Sequence, residues 1–238
     1  MKQLLVIALV LAGCGADIHE GWELDHDRII AVRATPPRIA PGEQATIDLL
    51  LGSTAEPVAQ QPPDAVVVIS PPSLANVATT DGERWFITAP DDATLAAARE
   101  ELALAPDAPV PLLIGVAKQW PYPVTSVDGL TFQATKTIWL GERAVNPVMP
   151  NLLINGVDAP DGSELVVPAN TKVPLFIDAA DPDHIVAWLT SCGEMHDFDV
   201  PSAYLVVPPE SNQEGELAVV FRDGRGGVAW RVWPIRAE

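Results

Sequence analysis

Beyond residue 24 the apolar positions fall into short runs rich in Val, Ile, Leu and Trp, cut apart by many of the chain's 24 prolines and 16 glycines. Long stretches of helical period are nearly absent, and this punctuation is that of an all-β sandwich or barrel. In the first half the pattern predicts strands at Arg28 to Ala34, Gln44 to Leu51, Ala65 to Ile69, Arg84 to Thr88, Val110 to Ala117 and Leu130 to Leu140. One helix interrupts them, over Asp91 to Leu104. Pro90 and the Asp91-Asp92 pair offer its cap, Ala and Leu fill its middle, and Leu95 and Leu102 sit a helical period apart. Asp128-Gly129, within the turn Val124 to Leu130, supplies the positive dihedral angles of a hairpin.

The segment from Ala144 to Asn151 contains Asn146-Pro147 and Met149-Pro150, lacks periodicity, and predicts a stiff linker over 144–151. It divides a first module over 24–143 from a second over 152–238. Strands in the second are predicted at Leu152 to Asn155, Glu164 to Val167, Lys172 to Asp178, Ile185 to Thr190, Tyr204 to Val207, Glu216 to Arg222 and Val228 to Ile235. That number of strands in so few residues is the count of an immunoglobulin-like sandwich. The expected fold class is therefore all-β, two immunoglobulin-like β-sandwich domains in tandem, the first carrying the short inserted helix.

Particular residues sharpen the second module. Trp188 lies mid-strand, where such sandwiches bury a tryptophan against the opposite sheet, and Asp223-Gly224-Arg225-Gly226-Gly227 reads as a glycine-rich hairpin turn. Asp181-Pro182-Asp183 before the tryptophan strand, and Leu217 to Gly224 before the hairpin, make the stretch from Asn155 to Ala237 resemble the PKD-like and cadherin-like branch of immunoglobulin-type modules. That resemblance implies a fold and a binding or spacer role, and no substrate.

The N-terminus has a different character. Lys2 precedes an unbroken apolar run from Leu4 to Ala12, which is the length of a signal-peptide core and too short to span a bilayer. The run ends in Leu11-Ala12-Gly13-Cys14, which resembles the lipobox of bacterial lipoproteins. The resemblance implies cleavage after residue 13, diacylglyceryl lipid on the Cys14 thiol, and a lipidated tether over 14–23. Each buried methylene contributes about 0.8 kcal/mol and stable anchoring takes two chains or more, so such a protein sits on a membrane through its N-terminal lipid. Gly15, where an aspartate marks inner-membrane retention, makes the outer membrane the implied address.

Charge narrows the partners. Against 14 Lys and Arg stand 32 Asp and Glu, a formal net charge of −18. Such a surface repels phosphate backbones and excludes nucleic acid, leaving another envelope protein or a glycan as the expected partner. With Cys14 lipidated, Cys192 has no partner for a disulfide, and its residue type reads as a small buried hydrophobe.

Motifs for chemistry are sparse. There is no Gly-x-Ser-x-Gly elbow, His-Glu-x-x-His, Ser-x-x-Lys set or Cys-x-x-Cys, and only four histidines occur in the chain. The densest cluster of polar ligands runs from Asp178 to Asp199. Asp181, Asp183, Asp197 and Asp199 are the candidate calcium ligands, with His184, Cys192 and His196 a softer, zinc-like alternative. Asp181-Pro182-Asp183 is equally the composition of a tight turn. Asp25-His26-Asp27 reads as charge at a strand edge, with a metal or general-base group as its alternative. Most tryptophans alternate along strands and are expected in the cores. Trp120 and Tyr122, in the proline-rich Trp120-Pro121-Tyr122-Pro123, are the exception and the candidate glycan or peptide contact. The expected function is a non-enzymatic membrane-anchored lipoprotein for adhesion, assembly or spacing. A calcium- or glycan-binding module is the alternative, and an uncharacterised hydrolase comes third.

Overall fold

A computed structural model describes residues 20–24, 26–53, 57–119, 131–179 and 181–238. Cys14, Trp120 and Tyr122, like the hairpin turn placed at 124–130, lie outside the described residues. The first sandwich is built from β1 (Arg28–Thr35), β2 (Arg38–Ile39), β3 (Gln44–Gly52), β4 (Ala59–Gln61), β5 (Ala65–Ser70), β6 (Ala78–Thr80), β7 (Trp85–Thr88), the helix α1 (Asp92–Glu101), β8 (Val110–Gln119) and β9 (Thr131–Leu140). The second holds β10 (Leu152–Ile154), β11 (Val157–Asp158), β12 (Leu165–Val167), β13 (Val173–Ile177), β14 (Ile185–Thr190), β15 (Glu194–His196), β16 (Ser202–Val206), β17 (Glu214–Arg222) and β18 (Val228–Ala237). Both are immunoglobulin-like all-β sandwiches, and the one inserted helix stands where the sequence predicts it. Asp91 caps that helix by accepting from the Thr94 amide at 2.9 Å, and Leu95 and Ala98 turn into the core.

In the first sandwich, sheet I has the order β1-β3-β7-β6, with β4 also on β3, and sheet II the order β2-β9-β8-β5. In the second, sheet III runs β12-β18-β17-β14 and sheet IV runs β11-β10-β13-β16-β15. Period-2 alternation fills each core from both its sheets. Val32, Ile47, Leu49, Leu112, Ile114 and Ile138 pack between sheets I and II. Trp188, Trp233, Phe221, Leu175 and Leu205 pack between III and IV. Trp188 is wholly buried, as its mid-strand position predicts, and its indole Nε1 donates to the Val200 carbonyl at 2.7 Å.

A third apolar layer lies between the sandwiches. Leu24, Ala31, Leu50, Leu189, Ala218, Val220 and Val228 are all buried there, with Ile30, Val58, Ala187, Trp230 and Val232 packed around them. These side chains leave the outer faces of sheets I and III, so the sheets stack in the order II, I, III, IV. The strands of this seam feed two cores at once. In β17, Leu217, Val219 and Phe221 face sheet IV while Ala218 and Val220 face sheet I. In β3, Leu49 and Leu51 point one way and Leu50 the other. Strands covered on both faces read as continuous apolar runs, here Leu49-Leu50-Leu51 and Leu217 to Phe221. The two sandwiches therefore pack against each other through sheets I and III.

The segment predicted as a linker is itself docked. The Asn146 amide donates from Nδ2 to the Ala34 carbonyl at 2.8 Å, and its Oδ1 accepts from the Val228 amide at 2.9 Å, joining β1 to β18. The N-terminal segment crosses the same boundary. Leu24 N donates to the Thr190 carbonyl at 3.0 Å and Thr190 N to the Trp22 carbonyl at 2.9 Å, so residues assigned to the tether already cover the free edge of β14. Covering an edge strand removes a template for unwanted pairing.

Candidate functional site

Two surfaces concentrate unusual features: the outer face of sheet II and the edge where the second sandwich meets β9. On sheet II the pleat turns Ala65, Val67 and Ile69 of β5, Gly115 and Ala117 of β8, and Gln133 and Thr135 of β9 away from the core. They line a shallow trough of about 560 Å³ that contains no charged side chain. Its floor is low because Gly115 stands opposite Val67; a Cβ there would sit 3.2 Å from both Val67 Cγ2 and Ile69 Cδ1. Val67 is 59% exposed and Ile69 47%, a large apolar area to leave in water on a chain of net charge −18. β5 is also the terminal strand of its sheet. An uncharged, β-branched edge strand of this kind is the sort that sheet proteins ordinarily blunt with charge. Lys118 and Asp64 pair at 2.8 Å beside the end of β5, outside the trough.

At the other surface, β2 pairs with β9 at Trp139 and Leu140, and among the described residues no other strand pairs with that edge of β9. The β17–β18 hairpin docks there. Arg38 donates to the Arg225 carbonyl from Nε at 3.1 Å and from Nη2 at 2.9 Å, while the Lys136 ammonium donates to the Gly226 carbonyl. Gly226 has φ +94, and a Cβ on it would lie 3.1 Å from Trp139 Cδ1, so both its conformation and its space require glycine. Arg33 stacks its guanidinium 3.9 Å from the centre of the Trp230 ring across the seam. Glu216 reaches over to accept from the Val58 amide at 2.7 Å; burial raises its pKa, partly offset by that hydrogen bond.

The sequence-predicted sites fare differently. Asp181 accepts the Asp183 amide at 3.0 Å in the loop before β14, which is the tight-turn geometry its composition allowed. Asp197 takes a left-handed conformation (φ 55) after β15, and Asp199 follows in the same loop. That loop is bonded to the middle of β14, where Trp188 N donates to the Phe198 carbonyl at 2.8 Å. Among the described residues no group of three or more His, Cys, Asp and Glu side chains gathers to hold a metal ion. Cys192 is buried, and its thiol is pushed up to about 11, chiefly by burial and then by the Glu214 charge, which makes it a poor nucleophile. His184, in the loop before β14, packs against Phe221 at 4.7 Å, and His196, at the end of β15, stacks on Tyr204 at 4.4 Å. His26 and Asp27, the described part of Asp25-His26-Asp27, both take part in interactions at the start of β1. Of the tryptophans expected in cores, Trp233 is buried in its own sandwich, while Trp230 and Trp139 serve the contact between the two. No helix among the described residues is long and apolar enough to cross a membrane.

No protein-family model and no curated protein matches the chain. Among solved structures it is similar to murine CEACAM1b, at 12% identity and a TM-score of 0.30, covering 87% of this chain and 100% of that one. Fibronectin(III)-like modules of Clostridium thermocellum CbhA align at 16% identity and a TM-score of 0.28, over 87% of this chain and 94% of that one. A nucleoside hydrolase-related hypothetical protein from Saccharophagus degradans aligns at 18% identity and a TM-score of 0.32, over 40% of this chain; the chain spans about a quarter (26%) of its length. These likenesses concern the fold alone.

Proposed function

We propose that this chain is a non-enzymatic binding and assembly module, held to a bacterial membrane by lipid on Cys14, whose uncharged trough on sheet II meets an apolar strand of another envelope protein. The trough is the observation that carries the reading. Val67 and Ile69 stand exposed beside the unpaired edge of β5, and that edge offers main-chain groups to an added strand while the trough offers apolar contact to its side chains. The absence of charge from its lining selects an uncharged segment, since a charged one would lose hydration there without gaining a partner. The sparse inventory of nucleophiles and bases supports the non-enzymatic side of the reading.

The test places a photo-crosslinking residue at Thr135 in the full-length chain, in the cells that make it. A discrete adduct with one envelope protein, lost in Val67→Glu and retained in Lys172→Glu on sheet IV, is the expected outcome. Absence of any adduct, or an adduct indifferent to Val67→Glu, overturns the docking face. The anchor is tested separately by Cys14→Ala, which is expected to leave the membrane fraction after a high-salt wash; continued sedimentation with membranes overturns it.

A further inference from the structure

The edge of β9 borders a second cleft, which adjoins the trough through Ala134 and Thr135. It is an open cleft of about 290 Å³ where the two sandwiches meet, several times the roughly 30 Å³ that a water occupies. Its walls include Ile29 of β1, Ile185 of β14 and Val228 of β18, and two cations reach into it: Lys136 from the first sandwich and Arg222 from the second.

Neither cation has a carboxylate within ion-pairing distance among the described residues, although the chain carries 32 Asp and Glu. Among the described residues Lys136 donates to the Gly226 carbonyl alone, and Arg222 makes a long 3.5 Å contact with the Ile30 carbonyl. Asp223 attracts Lys136 but forms an ion pair with neither cation, and its Oδ1 accepts from the Arg225 and Gly227 amides, both at 2.8 Å, inside the hairpin. The desolvation shows in Lys136, held down to about 8 first by burial and then by the neighbouring Arg222, against a smaller upward pull from Asp223. Two half-buried like charges facing one cleft repel each other and lose hydration, a cost that something negative between them would offset. In a chain with so large a surplus of carboxylates, their isolation indicates that the counter-charge comes from outside the chain.

From this arrangement we infer that the cleft between Lys136 and Arg222 is a binding site for a small oxyanion, of the class of phosphate, sulfate or a ligand carboxylate. The apolar side chains of its walls exclude part of the water that would otherwise screen the attraction. Because one cation belongs to each sandwich, the site exists only while the two are docked, and an anion bound in it ties them together.

Isothermal titration and thermal melting of the intact chain, in a buffer free of oxyanions, test this with inorganic phosphate, sulfate and acetate against chloride at matched ionic strength. At tenfold excess over its dissociation constant, the bound anion is expected to raise Tm by roughly 3 °C beyond the chloride control. Lys136→Met and Arg222→Met are each expected to abolish saturable binding, while Lys136→Arg retains it. Lys172→Met, whose ammonium lies over Tyr204 on sheet IV, is expected to bind as wild type. Saturable binding of any one of the three probes with this pattern supports the site. Failure of all three to exceed chloride overturns it, and so does binding retained in both methionine variants. Should a methionine variant fail to fold, loss of binding in the folded Lys136→Gln variant with retention in Lys136→Arg supports the site equally, and binding retained in Lys136→Gln overturns it.

Discussion

Lys136 shows how a single side chain can be misread from its neighbours. In Ala134-Thr135-Lys136-Thr137-Ile138 the lysine shares the inward register of Ala134 and Ile138, both of which pack against the first core. A lysine in the inward register of a strand is a signal that the alternation itself carries, but one polar residue in a strand of alternating threonines reads easily as solvated. Trp188 and Cys192 were more legible, since large and small apolar types have few places to go besides a core. Lys136 also makes a prediction about pH. Its pKa falls from an ordinary 10.5 to about 8 in the folded chain, through burial and Arg222 against a smaller pull from Asp223. Between those values the folded chain binds fewer protons than the unfolded one, so stability rises with pH. Between pH 8 and 10, wild type is expected to gain about 2 kcal/mol on Lys136→Met. Urea denaturation of both proteins across that range, without oxyanions, checks this; parallel curves would remove the charge from the cleft.

At the scale of elements, the long strands were readable because each spans several periods of alternation. β14 falls on the very residues predicted, Ile185–Thr190, and β1, β3, β8 and β17 differ only at their ends. The strands that escaped, β2, β4, β6, β11 and β15, have two or three residues each, too few for a period to declare itself. The seam escaped for another reason. A run such as Leu217 to Phe221 announces burial on both faces without naming what covers the second. Adjacent residues of β17 now distinguish the two layers. Val220→Asp puts an unpaired carboxylate into the seam, with an expected loss of about 3 kcal/mol. The sandwiches are then expected to part, raising the radius of gyration in X-ray scattering while near-ultraviolet circular dichroism from Trp188 persists. Val219→Asp, one residue away, faces the core of the second sandwich and is expected to abolish that Trp188 signal. The same spectroscopic loss in both variants would show that the seam and the core are one cooperative layer.

For the whole molecule, the number of sandwiches was legible and their arrangement was not, because arrangement is decided by the outer faces, whose apolar residues show that they are covered and not by which partner. Those faces have opposite fates. Sheets I and III cover theirs with each other, while sheet II keeps Val67 and Ile69 in water. The net charge of −18 opposes self-association through such a face, since two copies approaching through it bring their acidic bodies together. That repulsion reaches about 30 Å at 0.01 M salt and only about 3 Å at 1 M. The trough itself carries no charge, so apolar contact across it is not weakened by salt. Sedimentation velocity is therefore expected to show a monomer at low ionic strength and a weak, salt-promoted dimer near 1 M salt. Val67→Glu is expected to stay monomeric throughout, because it places a charge where the two faces meet. Dimerisation by Val67→Glu to the same extent as wild type would move the apolar contact to another surface, and a monomer at every salt concentration would mean that the trough is too shallow to hold a second copy without an added strand on β5.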